Sequence, residues 1–231
     1  MAEVRRPVQK RSRERVEKIL LAAADELAKV SKVEDLTTTS VSRRAGVPVS
    51  TLYRYFTDRS EIIAALIDRE IVELDSQIRE RLEALDEVTM DSLFREIMYG
   101  HWQFFRSSRR AVLGWFGARG SKAVLERVNQ RYVDLGDWIV DGSVEARFVD
   151  RPVPEWGGEA ILWICDRVFE FVFREERTEA EQKGIIDVCI AMLSRQFREY
   201  SSAAELVTVD QETFWAAFGP YDPPPPHPGE R

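Results

Sequence analysis

Apolar residues recur at steps of three and four along most of the chain, which is the spacing of one face of an α-helix. Between Ser12 and Val30 the apolar positions at this spacing are Val16, Ile19, Leu20, Ala23 and Leu27. The longest such run follows Asp58, which forms the N-cap of a capping box with Glu61, and we place its end near Asp86. No segment shows the sustained alternation of a strand, so we predict an all-α protein without a sheet.

Shorter helices are expected on both sides of this run. Two precede it at about residues 38–44 and 49–55, and the later ones cover about residues 89–106, 108–117, 121–141, 155–176 and 179–200. The pattern changes at Ser201, and the four consecutive prolines at residues 223–226 cannot continue a helix. We therefore assign residues 201–231 to a C-terminal tail that is proline-rich at its end.

The composition indicates a soluble globular protein with a real core, since 44% of the 231 residues are hydrophobic and 32% are charged. No apolar run reaches the roughly 18 residues of a membrane span, and the basic N-terminus lacks the apolar segment of a secretory signal. The two cysteines, Cys165 and Cys189, are too few for a disulfide framework. We therefore expect a cytoplasmic protein with no membrane partner.

The net charge of −7 conceals an uneven distribution along the chain. Residues 1–60 contain 13 Lys and Arg against 8 Asp and Glu, which gives +5, whereas the remainder contains 20 against 32, which gives −12. A basic head on an acidic body is a recognised indication of contact with nucleic acid.

The segment from Thr37 to Glu61 has the pattern of two short helices joined by a tight turn, a helix-turn-helix. Gly46 can adopt the positive φ that ends the first helix, and Pro48 suits the first turn of the second. The second helix presents short polar and planar side chains, including Thr51, Tyr53 and Arg54, of the kind that a recognition helix places in the major groove.

These residues resemble the DNA-binding domain of the TetR family of transcriptional repressors over about residues 12–66. The matching motifs are Leu36-Thr37-Thr38, Ala45-Gly46-Val47, Thr51-Leu52-Tyr53-Arg54-Tyr55-Phe56 and Asp58-Arg59-Ser60-Glu61-Ile62. The chain departs from the family pattern at Pro48, where Ser is frequent, at Ser50, where Gly is frequent, and at Arg59, where Lys is usual. Val41-Ser42 also replaces the usual Ile-Ala. Beyond residue 66 the resemblance is limited to the helical plan and the length.

The resemblance implies contact with double-stranded DNA at a palindromic operator. The expected DNA-binding residues are Thr38, Thr39, Val49, Ser50, Thr51, Tyr53, Arg54, Tyr55 and Arg59. The hydroxyls of Thr38 and Tyr53 would donate to phosphates and Arg54 would reach a guanine edge. The alternative for the tyrosines is packing within the domain, and for Thr38 it is helix capping. We place a basic arm at residues 1–11, the helix-turn-helix domain at 12–57 and a ligand-binding and dimerisation domain at 58–200.

The region after residue 66 has no recognisable catalytic or metal-binding constellation. Its two histidines, His101 and His227, accompany no nucleophile motif, and its two cysteines have no histidines nearby. A glycine-rich phosphate loop is also absent from the sequence. We therefore expect no enzymatic activity, no metal and no cofactor.

Aromatic residues are concentrated in this region, since residues 99–173 contain 14 of the 24 Phe, Trp and Tyr residues. An aromatic core would account for them, and so would an apolar ligand cavity between helices. The resemblance favours the cavity, because family members generally sense small molecules there. The candidate lining residues are Tyr99, His101, Trp102, Phe105, Trp115, Phe116, Trp138 and Trp163. Arg106, Arg109 and Arg110 are expected to be solvated, which favours a mainly apolar or aromatic effector, neutral or cationic.

The last two long helices are apolar on more than one face, which requires burial. Both could lie inside one subunit, or they could pair with their copies in a second subunit as a four-helix dimer interface. The candidate interface residues are Ile161, Cys165, Val168, Val188, Cys189, Met192 and Leu193.

The sequence thus predicts a homodimeric DNA-binding regulator, most simply a repressor that a small effector releases. One alternative is a helical small-molecule-binding protein or enzyme whose helix-turn-helix has lost DNA binding. Another is a regulator without a ligand that a protein partner controls.

Overall fold

The computed structural model describes residues 6–203 and 206–220, with side chains from residue 11 onward. The described helices are α1 (Arg6–Leu27), α2 (Thr38–Ala45), α3 (Val49–Leu52), α4 (Arg59–Glu83), α5 (Met90–Ser107), α6 (Arg109–Val112), α7 (Lys122–Glu145), α8 (Gly157–Arg174), α9 (Glu179–Arg198) and α10 (Gln211–Phe218). The expectation of a helical protein with an N-terminal helix-turn-helix is confirmed. None of the described helices is both long and apolar enough to cross a membrane.

The described residues divide into two compact units. The first comprises the chain up to Glu70 together with Ser108–Arg127, and the second comprises Ile71–Ser107 and the chain from Val128 onward. The long helices α4 and α7 each contribute residues to both units. This division falls between Glu70 and Ile71, inside α4, whereas the predicted boundary at residues 57–58 lies just before α4 begins.

In the first unit α1 packs against α2 around a small aliphatic core. Ile19, Leu27, Leu36 and Leu52 are all fully buried there. The side chain of Thr37 caps α2 by accepting a bond from the backbone N–H of Ser40. Gly46 ends the same helix with φ of 62°, a left-handed conformation that glycine adopts without steric cost. Capping therefore fixes both ends of α2.

The turn into α4 has the predicted cap. The carboxylate of Asp58 accepts from the backbone N–H of Glu61 at 3.0 Å, and the Glu61 side chain accepts from the N–H of Thr57. A 3₁₀ turn, Val33–Asp35, and a π-helical turn, Leu113–Gly117, complete the first unit. The π-helical turn interrupts the single helix expected at residues 108–117.

In the second unit α5 packs against α8 and α9. The core between these helices includes Leu93, Phe94, Phe169, Val172 and Phe197, and each is at most 3% exposed. Phe94 and Phe197 meet edge to face with ring centroids 4.9 Å apart. This aromatic and aliphatic packing is what holds the ends of the three helices together.

A short antiparallel pairing departs from the expected absence of any sheet. Two-residue strands β1 (Glu87–Val88) and β2 (Val209–Asp210) pair with Glu87 opposite Asp210. Each strand is too short to show alternation, so the pattern of apolar positions carries no signal for it.

Helix α10 lies in the segment that the sequence pattern assigns to a tail. Its Phe214 and Phe218 are buried, and the rings stack with centroids 4.4 Å apart. The Gln211 amide donates to the carbonyl oxygens of Leu82 and Leu85, at the end of α4 and in the turn that follows it. Residues 206–220 are therefore packed in the second unit, whereas the proline-rich end lies outside the described residues.

Candidate functional site

The residues predicted to contact DNA lie on the surface of the first unit. Thr39, Val49, Ser50, Tyr53 and Arg54 are exposed, whereas Thr38, Thr51, Tyr55 and Arg59 are half-buried. Helix α3 ends at Leu52, and a tight turn continues it through Phe56, whose backbone N–H donates to the carbonyl of Leu52. Apart from Thr39 of α2, the exposed residues thus follow α3 and its last turn.

Two of the predicted hydroxyls are neighbours in space. Thr38 Oγ1 and Tyr53 Oη lie 3.2 Å apart, within hydrogen-bonding distance. Thr38 begins α2 and Tyr53 follows α3, so the tight turn at Gly46 brings them together. Two adjacent hydroxyls can both donate to the oxygens of one phosphate.

Two other predicted DNA-binding residues make bonds within the unit. Ser12 and Arg15 of α1 lie beside the Tyr55 hydroxyl and lower the pKa of Tyr55. The Arg59 guanidinium donates to the carbonyl oxygen of Glu34 at 2.8 Å. Each side chain therefore links the helix-turn-helix to a neighbouring segment, and any contact with DNA must use its remaining surface.

A surface ion pair that the sequence pattern does not reveal joins α2 to α1. Arg44 donates from Nε and Nη2 to one oxygen of Asp25, at 3.2 and 2.7 Å. This bond holds the pKa of Asp25 below its ordinary value. Both side chains are about half exposed, so the pair orients α2 more than it stabilises the fold.

The candidate effector residues do not form one cluster. Trp115 and Phe116 belong to the first unit and the other six to the second. Within the second unit, Tyr99 meets Trp102 with ring centroids 6.0 Å apart, while Trp138 meets Phe218 at 5.0 Å. Further contacts join Phe105 to Phe169, His101 to Phe169 and Trp163 to Tyr132.

The ring of Trp102 already contacts two cationic side chains of the protein. Arg106 and Lys183 lie over its ring, 5.0 and 4.9 Å from the centroid. The indole N–H donates to Gln182 at 3.0 Å. These contacts account for Trp102 without an added ligand, because cation–π and hydrogen-bonding capacity are both in use.

His101 is half-buried in the second unit. Its Nδ1 is 2.8 Å from the carbonyl oxygen of Ile97, and its ring stacks on Phe169 with centroids 5.6 Å apart. Burial, together with the positive charge of Arg131, lowers the pKa of His101 to about 4. The imidazole is therefore neutral near pH 7, with Nδ1 as the donor and Nε2 as an acceptor.

A buried ion pair of the second unit joins two residues that are not among the predicted site residues. Arg131 of α7 donates from Nη1 and Nη2 to the two oxygens of Asp75 of α4, at 3.0 and 2.5 Å. Both residues are less than 10% exposed. The helical spacing could have predicted that Arg131 is buried, because Arg131 shares one helix face with Val128 and Leu135.

The apolar faces of α8 and α9 divide into an inner and an outer part. Cys165, Cys189 and Leu193 are buried within the protomer, where the two thiols hydrogen-bond to each other. That bond and burial raise the pKa of Cys165. The predicted interface residues Ile161 and Val168 are half-buried, while Val188 and Met192 are 62% and 65% exposed.

Two further apolar residues extend this outer surface. Ile164 and Phe171 are 54% and 51% exposed, and they follow the helical spacing of Ile161 and Val168 along α8. We call the group Ile161, Ile164, Val168, Phe171, Val188 and Met192 the α8–α9 face. Large exposed apolar side chains that lie side by side are typical of a protein–protein contact.

Comparison with known proteins confirms the family resemblance. Residues 20–66 match the family model described as bacterial regulatory proteins, tetR family. Among proteins with curated descriptions, none matches the sequence.

Solved structures of regulators share the fold. A TetR-family transcriptional regulator from Streptomyces coelicolor superimposes with a TM-score of 0.58 at 22% identity, covering 80% of this chain and 99% of that one. The fatty acid degradation regulator FadR from Bacillus halodurans gives 0.59 at 14% identity, with 78% and 94% covered. A transcriptional regulator from Cytophaga hutchinsonii gives 0.55 at 17% identity, with 79% and 96% covered.

Proposed function

We propose that this chain is a sequence-specific transcriptional repressor rather than an enzyme, because residues 20–66 match the family model of bacterial regulatory proteins, tetR family. The observation that carries the proposal is the exposed polar surface of the helix-turn-helix. There the adjacent hydroxyls of Thr38 and Tyr53 present a phosphate-binding pair, and Arg54 is exposed beside them.

The two kinds of contact have separate roles in this proposal. The hydroxyl pair fixes the domain on the DNA backbone and carries no sequence information. Arg54 reads a base edge, because a guanidinium can donate two bonds to the O6 and N7 atoms of guanine. The surplus of five positive charges in residues 1–60 supplies the sequence-independent attraction.

The repressor acts as a homodimer through the α8–α9 face. Val188 and Met192 are more than 60% exposed in the protomer, and burial of such side chains contributes roughly 1.5–3 kcal/mol each. An isologous contact between two copies would bury both faces at once. A two-fold dimer also matches a palindromic operator.

A small, mainly apolar or aromatic effector releases the repressor from its operator. The effector binds the helical core of the second unit and favours a conformation with low affinity for DNA. This is a coupling free energy between two sites, so operator DNA must weaken effector binding by the same factor.

A mobility-shift assay with fragments from the region upstream of the gene tests DNA binding. We expect retention of a specific fragment that weakens steeply as salt rises, since bound phosphates release counterions. Arg54→Ala should weaken binding and relax the choice of sequence, whereas Tyr53→Phe should weaken binding to all sequences. Lys122→Ala, which removes an exposed cation outside the helix-turn-helix, is the matched control.

The outcome separates this function from its rivals. Unchanged affinity and preference in Arg54→Ala would contradict the assignment of the base-reading residue. In the other outcome, the wild-type protein binds a small molecule but no specific DNA. That result would identify a small-molecule-binding protein whose helix-turn-helix does not bind DNA.

A further inference from the structure

The chain has only two cysteines, and the fold brings their thiols together. Cys165 belongs to α8 and Cys189 to α9, and the two side chains form a hydrogen bond with each other. Neither cysteine is part of a disulfide. Free cysteines pack as small apolar residues, and this role does not require two of them to meet. Their contact therefore indicates a role for the chemistry of a thiol pair.

The pair lies directly beneath the α8–α9 face. Cys165 and Cys189 are 7% and 5% exposed, so each residue retains a small accessible area. Ile164 precedes the first and Val188 precedes the second, and these two side chains of the face are 54% and 62% exposed. A larger reagent would have to separate the two helices to reach the sulfur atoms. Access at this depth is therefore limited to small molecules.

The two thiols are not chemically equivalent. The Cys165 thiol donates to Cys189, and this bond lowers the pKa of Cys189. The same bond and burial raise the pKa of Cys165, and the neighbouring carboxylate of Asp166 raises it further. The thiolate is the reactive form of cysteine. Cys189 is therefore the nucleophile of the pair, and Cys165 is the thiol that reacts second.

We propose that Cys165 and Cys189 form a redox modification site, in which a small hydroperoxide such as hydrogen peroxide oxidises the two thiols to a reversible disulfide between α8 and α9. The hydrogen bond already places the sulfur atoms in contact, and α8 packs against α9. Closing the disulfide therefore requires only a small adjustment of the two side chains.

The reaction has two steps. The Cys189 thiolate attacks the O–O bond of the hydroperoxide and becomes a sulfenic acid, while the other oxygen leaves and takes up a proton. The Cys165 thiol then attacks the sulfenic sulfur, the S–S bond forms and the hydroxyl group leaves as water. The two thiols lose two electrons and two protons, and the hydroperoxide gains them to give an alcohol, or water from hydrogen peroxide, and a second water.

One equivalent of hydrogen peroxide added to the reduced full-length protein tests the site. We expect loss of both free thiols, a peptide link between Cys165 and Cys189 in mass spectrometry, and recovery of both thiols with dithiothreitol. Non-reducing electrophoresis should show the protein at monomer size, because the link lies within one chain. No reaction, cross-linked dimers, or oxidation of Cys189 past the sulfenic acid without a link would each overturn the proposal.

Glutathione disulfide is the comparison oxidant, because it would have to place a tripeptide on a buried sulfur. We expect it to oxidise the pair at least about tenfold more slowly than hydrogen peroxide at equal concentration, since exchange depends on access to the attacking thiol. Equal or faster oxidation by glutathione disulfide would overturn the assignment of a small hydroperoxide.

Variants separate the roles of the two thiols. In Cys165→Ala the reaction should stop at a sulfenic acid on Cys189, which dimedone labels, and it should be slower than in the wild type because the hydrogen bond is lost. Cys189→Ala should leave Cys165 unlabelled at the same peroxide concentration. Equal labelling of the two variants would overturn the order of the steps.

A relocated cysteine is the matched control. Cys189→Ala combined with Gly184→Cys keeps two thiols but places one at an exposed position of α9 that has open space around it. This variant should form no internal disulfide. A link as fast as that of the wild type would show that contact between the thiols does not direct the reaction, and it would overturn the site.

The disulfide also changes the surface that the proposed dimer uses, and only this step rests on the proposed function. A covalent link draws α8 and α9 together beneath the α8–α9 face, so the side chains of the face move with them. A contact shaped to the reduced form then fits less well, because close-packed surfaces tolerate little change in shape. Sedimentation should show a dimer dissociation constant that is severalfold higher after oxidation, and an unchanged constant would overturn this role in assembly.

Parallel peroxide and mobility-shift experiments distinguish failure of this inference from failure of the proposed function. If the protein binds operator DNA but peroxide forms no link between Cys165 and Cys189, the inference fails and the repressor function stands. If the link forms but the reduced protein binds no specific DNA, the modification site stands and the repressor function fails.

Discussion

The two units of this chain hold their polar groups in opposite ways. In the first unit, Tyr53 and Arg54 are exposed and Thr38 is half-buried, and the hydroxyls of Thr38 and Tyr53 orient each other. In the second unit, Asp75 and Arg131 are buried and His101 is half-buried against Phe169. The first arrangement costs little because water solvates the groups, whereas the second is tolerable only if each buried group is paired or neutral.

The comparison predicts where substitutions act. Changes to the exposed groups of the first unit should alter binding and leave the free energy of unfolding almost unchanged. Changes to the interior of the second unit should alter stability. The α8–α9 face is an exception to this rule, because it belongs to the second unit but is exposed and apolar. Substitutions there should alter binding to a second subunit and not the stability of the protomer.

The largest expected effect comes from charge on the α8–α9 face. Val188→Glu and Met192→Glu should each convert the dimer to a monomer and abolish operator binding, because dimerisation would bury an unpaired charge. The protomer should keep its melting temperature, since both positions are more than 60% exposed. Sedimentation equilibrium and a mobility shift measure the two consequences.

Two comparisons define the controls for this experiment. Ala216→Glu adds the same charge at an exposed position of α10 and should leave the dimer intact. Leu193→Glu, although Leu193 belongs to the predicted interface, should unfold the protomer itself, because Leu193 is only 6% exposed. Intact dimers in both Val188→Glu and Met192→Glu would move the interface elsewhere.

The second prediction concerns the pH dependence of stability. The pKa of His101 is about 4 in the folded protein and 6.5 in the reference state, so the unfolded chain binds more protons between these values. Stability that is present above pH 6.5 should therefore be lost as the pH falls towards 4, by roughly 3 kcal/mol at most. His101→Phe keeps an aromatic ring against Phe169 but cannot titrate.

Urea denaturation of both proteins from pH 7.5 to pH 4 measures this contribution. The difference in unfolding free energy between wild type and His101→Phe should change across the window, since the other titrating groups are common to both. A difference that stays constant from pH 7.5 to pH 4 would show that His101 is not buried in its neutral form.

The third prediction tests the docking of α10. A Cβ atom at Gly142 would lie 2.3–2.6 Å from ring carbons of Phe218, and that ring is buried. Gly142→Ala should therefore lower the free energy of unfolding by about 1–3 kcal/mol, the usual cost of overpacking a core. Gly184→Ala, inside helix α9 where nothing lies within 4 Å, is the matched control. Equal stabilities of the two variants would refute the packing of α10 on α7.

The units also differ in how far the sequence predicts them. In the first unit, Gly46 and the Asp58 cap act on residues next to them in the chain, so local rules of helix ends suffice. In the second, β1 meets β2 and Phe218 meets Gly142 across long separations that no local pattern encodes. Arg131 was within reach of the helical periodicity, but an arginine on an apolar stripe is ordinarily read as solvated.

The smallest expected effect concerns Tyr55, which is half-buried in the first unit and has its hydroxyl directed to α1. Ser12 and Arg15 beside it belong to the first half of α1, where Arg11 and Arg13 also lie. Removing the hydroxyl in Tyr55→Phe should change the free energy of unfolding by less than about 1.5 kcal/mol, the net worth of an ordinary hydrogen bond. Its main consequence should be a less ordered basic segment at the DNA.

Comparison with Tyr53→Phe, the other tyrosine of the same turn, separates tethering from direct contact. In both variants DNA affinity should fall without a change in sequence preference, because neither hydroxyl reads a base. If Tyr55 orients the cations of α1, the slope of log affinity against log salt should become shallower by about one in Tyr55→Phe, since roughly one phosphate contact is lost with the tether. In Tyr53→Phe the slope should not change, because a neutral hydroxyl releases no counterion. Equal slopes in wild type and Tyr55→Phe, with affinity reduced, would mean that Tyr55 meets the DNA itself.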